Sequence, residues 1–130
     1  QVIFIIQNSV DDENVYDEYI KLIEDIKMRV TVGCLFIIVD TFGLKHYVPP
    51  RVGLFELFDV NKNSIYVGDK YTQDNSIDLS FAYNYRIQFV PNKSYFTGAD
   101  VVCSFQNSND LILYKLPSFN KYKNKKQISL

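Results

Sequence analysis

Only one stretch of this chain repeats its apolar residues at helical spacing, so nearly all of the rest must bury its apolar side chains in some other way. Within Val15–Met28, Tyr16, Tyr19, Ile20, Ile23 and Ile26 follow three- and four-residue steps. Asp11, Asp12, Glu13, Asp17 and Glu18 crowd the start of this segment, where carboxylates favour the helix dipole. Ser9 or Asp11 is the expected cap, and Arg29 supplies positive charge at the end where carbonyls lack partners. The apolar stripe is expected to cover a sheet rather than to bind a ligand.

From Val30 onward the chain breaks into short runs rich in β-branched and aromatic residues, separated by Asn, Asp, Gly and Pro. Leu79, Phe81 and Tyr83 alternate with polar or small neighbours, as do Tyr85, Ile87 and Phe89, so each run is read as a strand with one apolar face. With further candidates at 30–39, 52–59, 64–72, 100–106 and 111–116, the count reaches about seven strands, the usual number for a small sandwich. The expected fold is therefore mainly β: an antiparallel β-sandwich of about seven strands with one N-terminal amphipathic helix. Turn residues fill the gaps, among them Pro49-Pro50, Asn61-Lys62-Asn63, Asp74-Asn75 and Pro91-Asn92.

The chain has 130 residues, 47% of them apolar and 22% charged, which is the balance of a folded domain rather than a disordered one. One domain over 1–130 is expected: a strand and helix in 1–29, the sandwich in 30–118 and a basic tail in 119–130. The apolar runs at 2–6 and 34–39 are of strand length, too short to cross a bilayer. A net charge of −1 gives no global attraction to nucleic acid. Charge is uneven along the chain: residues 1–60 hold ten acidic and five basic side chains, and residues 61–130 hold five and nine. The basic excess gathers at Lys121, Lys123, Lys125 and Lys126, read as a solvated terminus.

Little in the chain points to catalysis. His46 is the only histidine, so a multi-histidine metal site is excluded, and any nucleophile and base would have to be Cys34 or Cys103 with His46. No phosphate-binding glycine loop, nucleophile elbow or zinc-binding helix motif occurs. The chain is read as non-enzymatic, with no cofactor and no metal. Asp59-Val60-Asn61-Lys62-Asn63 has the oxygen spacing of a calcium loop, but Ser64 replaces the needed glycine and Lys70 the bidentate glutamate, which leaves a turn.

Cys34 and Cys103 both lie in apolar, strand-like surroundings, and two cysteines suffice for one bridge between sheets in an oxidising compartment. A Cys34–Cys103 disulfide is the expectation, with a reduced pair of core thiols as the alternative. Asn92-Lys93-Ser94 is a glycosylation sequon directly after Pro91. The first residue, Gln1, suits a mature secreted chain and equally a trimmed one. Tyr47, Tyr66, Tyr95 and Tyr122 stand in polar or turn-like stretches and form the candidate contact surface.

Two resemblances extend this reading. Val30-Thr31-Val32-Gly33-Cys34-Leu35, Val52–Asp59, Tyr71–Asn75 followed by Ile77–Ser80, Tyr85–Phe89 and Leu116–Phe119 together resemble the transthyretin-like family of secreted nematode proteins. That resemblance implies a prealbumin-like or more generally immunoglobulin-like sandwich, secreted, non-enzymatic and acting by binding an extracellular protein, lipid or small ligand. Separately, residues 2–12 followed by a helix resemble the opening of a von Willebrand A domain, and residues 49–59 its second strand. Gln7 and Asp11 stand in place of that family's first metal-binding Asp and last Ser, which implies a degenerate adhesion domain with a defective metal site. A third reading is a structural or assembly subunit. In it, the apolar segments 1–6 and 111–116 would pair through sheet edges with another copy.

Overall fold

The structure, a computed structural model, describes residues 1–106. Those residues gather in two compact units, Gln1–Lys45 and a second beginning at His46. The strand over residues 34–40 thus joins the N-terminal strand and helix, and a boundary at 29/30 falls inside the first unit.

The first unit is a β-α-β crossover: β1 (Val2–Asn8), α1 (Glu13–Arg29) and β2 (Cys34–Asp40). The two strands pair in parallel, in register from Val2 opposite Cys34 to Asn8 opposite Asp40. Parallel neighbours cannot be joined by a tight turn, and α1 is the connection that carries the chain back. The helix begins because Asp12, in extended conformation, accepts the Asn14 amide at 2.9 Å on its side chain. Asp12 is thus the cap, in place of the expected Ser9 or Asp11. The half-buried residues of α1 are Val15, Tyr16, Tyr19, Ile23 and Ile26, a single stripe. The helix lies against the sheet: the Tyr19 hydroxyl reaches Asn8, and the ammonium of exposed Lys27 sits 5.9 Å from the Phe36 ring, which itself stacks on Phe4 at 5.0 Å.

The second unit contains another β-α-β crossover: β3 (Ile65–Gly68), α2 (Ile77–Tyr85) and β4 (Gln88–Pro91), with β3 and β4 again parallel. A short helix, α3 (Asn92–Thr97), follows directly. The core gathers around Phe55, whose ring stacks on Tyr85 at 3.6 Å and on Phe81 at 4.8 Å, while Tyr66 meets Phe81 edge-on at 5.3 Å. Val52, Leu54, Phe81, Ala82 and Tyr85 are all buried there. Lys62 closes one side, donating to the Tyr85 carbonyl at 2.9 Å with its ammonium 3.7 Å from the Tyr85 ring.

The expected antiparallel sandwich is overturned. Among the described residues there are four short strands in two two-stranded parallel sheets, with three α-helices, so the fold is mixed α/β. Residues 79–83, read as a strand from their alternation, belong to α2. This helix is buried on most sides, at Asp78, Ser80, Phe81, Ala82, Asn84 and Tyr85, and so lacks the polar face that makes a helix legible. The alternation was accidental: Tyr83, assigned to the apolar face, is 45% exposed. Residues 52–59 form no strand either. Val52, Gly53, Leu54 and Phe55 are buried consecutively, and Gly53–Glu56 is a 3-10 turn closed by bonds such as Phe55 N to Val52 O at 3.0 Å. The von Willebrand A reading loses its second strand with it. Residues 100–106 hold no regular element, and the candidate strand at 111–116 lies outside the described residues.

Candidate functional site at the carboxyl ends of the parallel strands

In open parallel sheets ligands bind beyond the carboxyl ends of the strands, because the loops there diverge and leave a crevice. In the first unit these ends are Asn8 and Asp40. Asn8 is fully buried, and its amide nitrogen donates to the Val10 carbonyl at 2.9 Å and to Asp40 Oδ1 at 3.0 Å. Asn8 Oδ1 accepts the Val10 amide at 3.2 Å and the Tyr19 hydroxyl at 3.3 Å. The Asn8 carbonyl accepts the Thr41 amide at 2.8 Å and its hydroxyl at 3.3 Å. One side chain thus ties together the exits of both strands and the inner face of α1.

Asp40 is held from one side only. Its Oδ1 accepts both Asn8 and a short bond from the Tyr16 hydroxyl, and among the described residues nothing donates to Oδ2. The Tyr16 and Asn8 donors hold the Asp40 carboxyl below the ordinary carboxylate range, and the same bond pushes the Tyr16 hydroxyl up. The result is a half-exposed, ionised carboxylate with fixed orientation and one free oxygen.

The corresponding end of β3 is built differently. Asp78, near the start of α2, turns back to accept the amides of Asp69 at 3.1 Å and Lys70 at 3.0 Å on Oδ2, and the Tyr66 hydroxyl at 3.4 Å on Oδ1. Both oxygens are engaged, and burial raises its pKa. Asp78 shapes the loop after β3, and Gly68 is required beside it: a Cβ there would lie 2.6 Å from Asp78 Oδ2. Tyr66 is also driven far above its usual range by burial, with the Asp78 charge adding to the shift.

The residues expected to matter fall elsewhere. Cys34 opens β2, half-buried, its thiol donating to the Val32 carbonyl at 3.3 Å. Cys103 is exposed in the segment after α3, and its thiol is pushed up by partial burial. Both are free thiols in this structure. Asn92 is the first residue of α3 rather than part of a loop, and its side-chain oxygen accepts the Lys93 amide at 2.9 Å. Of the tyrosines, Tyr66 packs between Phe81 and Phe89, Tyr47 meets the His46 ring edge-on, and Tyr95 is 57% exposed beside Phe96. Tyr122 lies outside the described residues, as do the basic tail's lysines.

His46 Nε2 stands 3.1 Å from Glu56 Oε2, within ion-pair distance but out of line for a hydrogen bond. The calcium-like segment is a turn, with Asn61 Oδ1 accepting the Asn63 amide at 2.9 Å. Among the described residues no group of three or more His, Cys, Asp or Glu is placed to hold a metal ion. No described helix is long and apolar enough to cross a membrane.

Asn8, Tyr16 and Asp40 were not anticipated as a group. Their signal is present in the sequence: two apolar runs without alternation, residues 2–6 and 34–39, flank the one clear helix and end at Asn8 and Asp40. Such runs mark strands of a parallel sheet, whose carboxyl ends are the places to search. No protein-family model, no curated protein and no solved structure matches the chain.

Proposed function

We propose that the chain is a non-enzymatic binding module that takes a cationic or hydrogen-bond-donating group of its ligand at the carboxyl ends of β1 and β2. The observation that carries this reading is the half-engaged Asp40 carboxylate. Tyr16 and Asn8 fix one oxygen, so the other meets a donor with little further ordering cost. Guanidinium and ammonium groups are the complementary chemistry.

Titration with N-acetylarginine amide, followed by backbone amide NMR, tests the reading. Shifts should concentrate at Val10, Thr41 and Gly43 and vanish in Asp40→Asn. Shifts that survive that substitution, or none in the native chain, would overturn it.

An assembly subunit is the second reading, favoured by one observation. Among the described residues each strand pairs with a single neighbour, although β1 and β2 are apolar on both faces in the manner of interior parallel strands. Light scattering across a dilution series separates the two: a monomer at every concentration argues against assembly.

A further inference from the structure

Resting on the binding site just proposed, we infer that its ligand is a basic, partly apolar segment of a partner protein rather than a small cation. One arginine or lysine would reach Asp40, and neighbouring apolar side chains would lie on Val10, Phe42 and Leu44. The first ground is exposure. Val10 is 49% exposed, Phe42 48% and Leu44 74%, three large apolar side chains in the two loops that leave β1 and β2. Those loops are pinned: Val10 by both polar atoms of the Asn8 side chain, Thr41 by the Asn8 carbonyl, and Gly43 by its amide on the Asp40 carbonyl at 2.9 Å. Exposed apolar side chains on pinned loops, with an oriented carboxylate at the start of one of them, suit a peptide better than a free amine, because each apolar contact adds area removed from water.

Charge supplies the second ground. Residues 1–20 and 40–45 carry six carboxylates, Asp11, Asp12, Glu13, Asp17, Glu18 and Asp40, against one base, Lys45. The amino end of α1 would ordinarily attract an anion, but Asp12 caps it and Asp11 and Glu13 crowd it, so phosphate-bearing ligands are repelled and cations drawn in.

Three probes decide the matter on the full chain: N-acetylarginine amide, a peptide Ac-Leu-Arg-Phe-Lys-Leu-NH2, and the same peptide with glutamates in place of arginine and lysine. The basic peptide should bind at least about tenfold more tightly than the amide, and the acidic peptide should not bind. Phe42→Ser combined with Leu44→Ser, both at exposed positions, should bring the basic peptide down to the level of the amide. Equal affinity of peptide and amide, or a double variant that keeps full peptide affinity, overturns the partner while leaving the Asp40 site standing. Silence from both basic probes overturns the site itself, and tighter binding of the acidic peptide overturns the charge argument.

Discussion

Asn8 and Asp40, 32 residues apart in sequence, are the last register pair of two parallel strands, and the Asn8 amide joins them with a 3.0 Å hydrogen bond to the aspartate. Neutral amide against carboxylate at this position lets the strand ends close without setting two charges side by side. The Tyr16 hydroxyl, delivered by the first turns of α1, completes the set.

Tyr16→Phe tests that arrangement. It removes the donor that contributes most to holding Asp40 low, so the Asp40 carboxyl should titrate nearer its ordinary value of 3.8. Because the native group is depressed, its stabilising contribution is present above the unfolded carboxylate pKa and is lost as pH falls through the folded value. The variant should therefore show a flatter loss of stability in acid. Side-chain carboxyl NMR against pH reads the first effect, and denaturant melts at pH 3 and pH 7 read the second. An unmoved Asp40 titration contradicts the assignment.

Asn8→Ala strips the buried bonds to Val10 and Asp40 at once. Leaving those polar groups without their partner is expected to cost about 1–3 kcal/mol in a urea melt. Asn8→Asp keeps the shape but places a second carboxylate beside Asp40, so it should raise the Asp40 titration further than the alanine variant, which only removes a donor. If both variants melt with the native protein, the network has no structural weight.

What the sequence made legible follows from how many faces each element buries. The helix α1 buries one stripe, and its period, position and acidic start were all readable; only the cap differs, Asp12 in place of Ser9 or Asp11. The helix α2 buries Ser80 and Asn84 as well as Phe81 and Tyr85, so polarity no longer marks its outside, and a chance alternation suggested strands. Residues 52–59 have the composition of a strand, whereas the consecutive burial of Val52, Gly53, Leu54 and Phe55 needs a tight turn. The site is legible only through the pairing of its strands, because its parts lie on three elements that become neighbours only if β1 and β2 are parallel. Parallel pairing requires reading unbroken apolar runs as interior strands rather than as halves of a sandwich.

Asp78 gives a second pH-dependent prediction, opposite in sign to that of Asp40. Burial raises its pKa, so its contribution is greatest below the unfolded value and declines as pH rises through the folded one. Asp78→Asn retains an oxygen for the Asp69 and Lys70 amides without the buried charge, and at pH 7 it should be at least as stable as the native chain. Asp78→Ala leaves both amides without their acceptor and should lose about 1–2 kcal/mol. Melts of both variants at neutral pH check the ordering. An asparagine variant as unstable as the alanine one would mean that the charge itself is needed.

Gly53 and Gly33 provide the sharpest contrast in the chain. A Cβ on Gly53 would stand 2.1 Å from the His46 carbonyl oxygen and 2.8 Å from its carbonyl carbon. Those are backbone atoms, so no rotamer change relieves the overlap, and the turn that buries Val52, Leu54 and Phe55 must shift as a whole. Gly53→Ala should cost at least the upper end of the ~1–3 kcal/mol typical of overpacked cores. A Cβ on Gly33 meets nothing within 4 Å, and the residue does not adopt a left-handed conformation. Gly33→Ala restricts mainly the unfolded chain and should stabilise by about 0.4–1 kcal/mol. Parallel thermal melts of the two variants settle the point: equal midpoints would show that the close approach between Gly53 and His46 does not constrain the fold, whereas a fall for one and a rise for the other locates that constraint at the turn before Phe55.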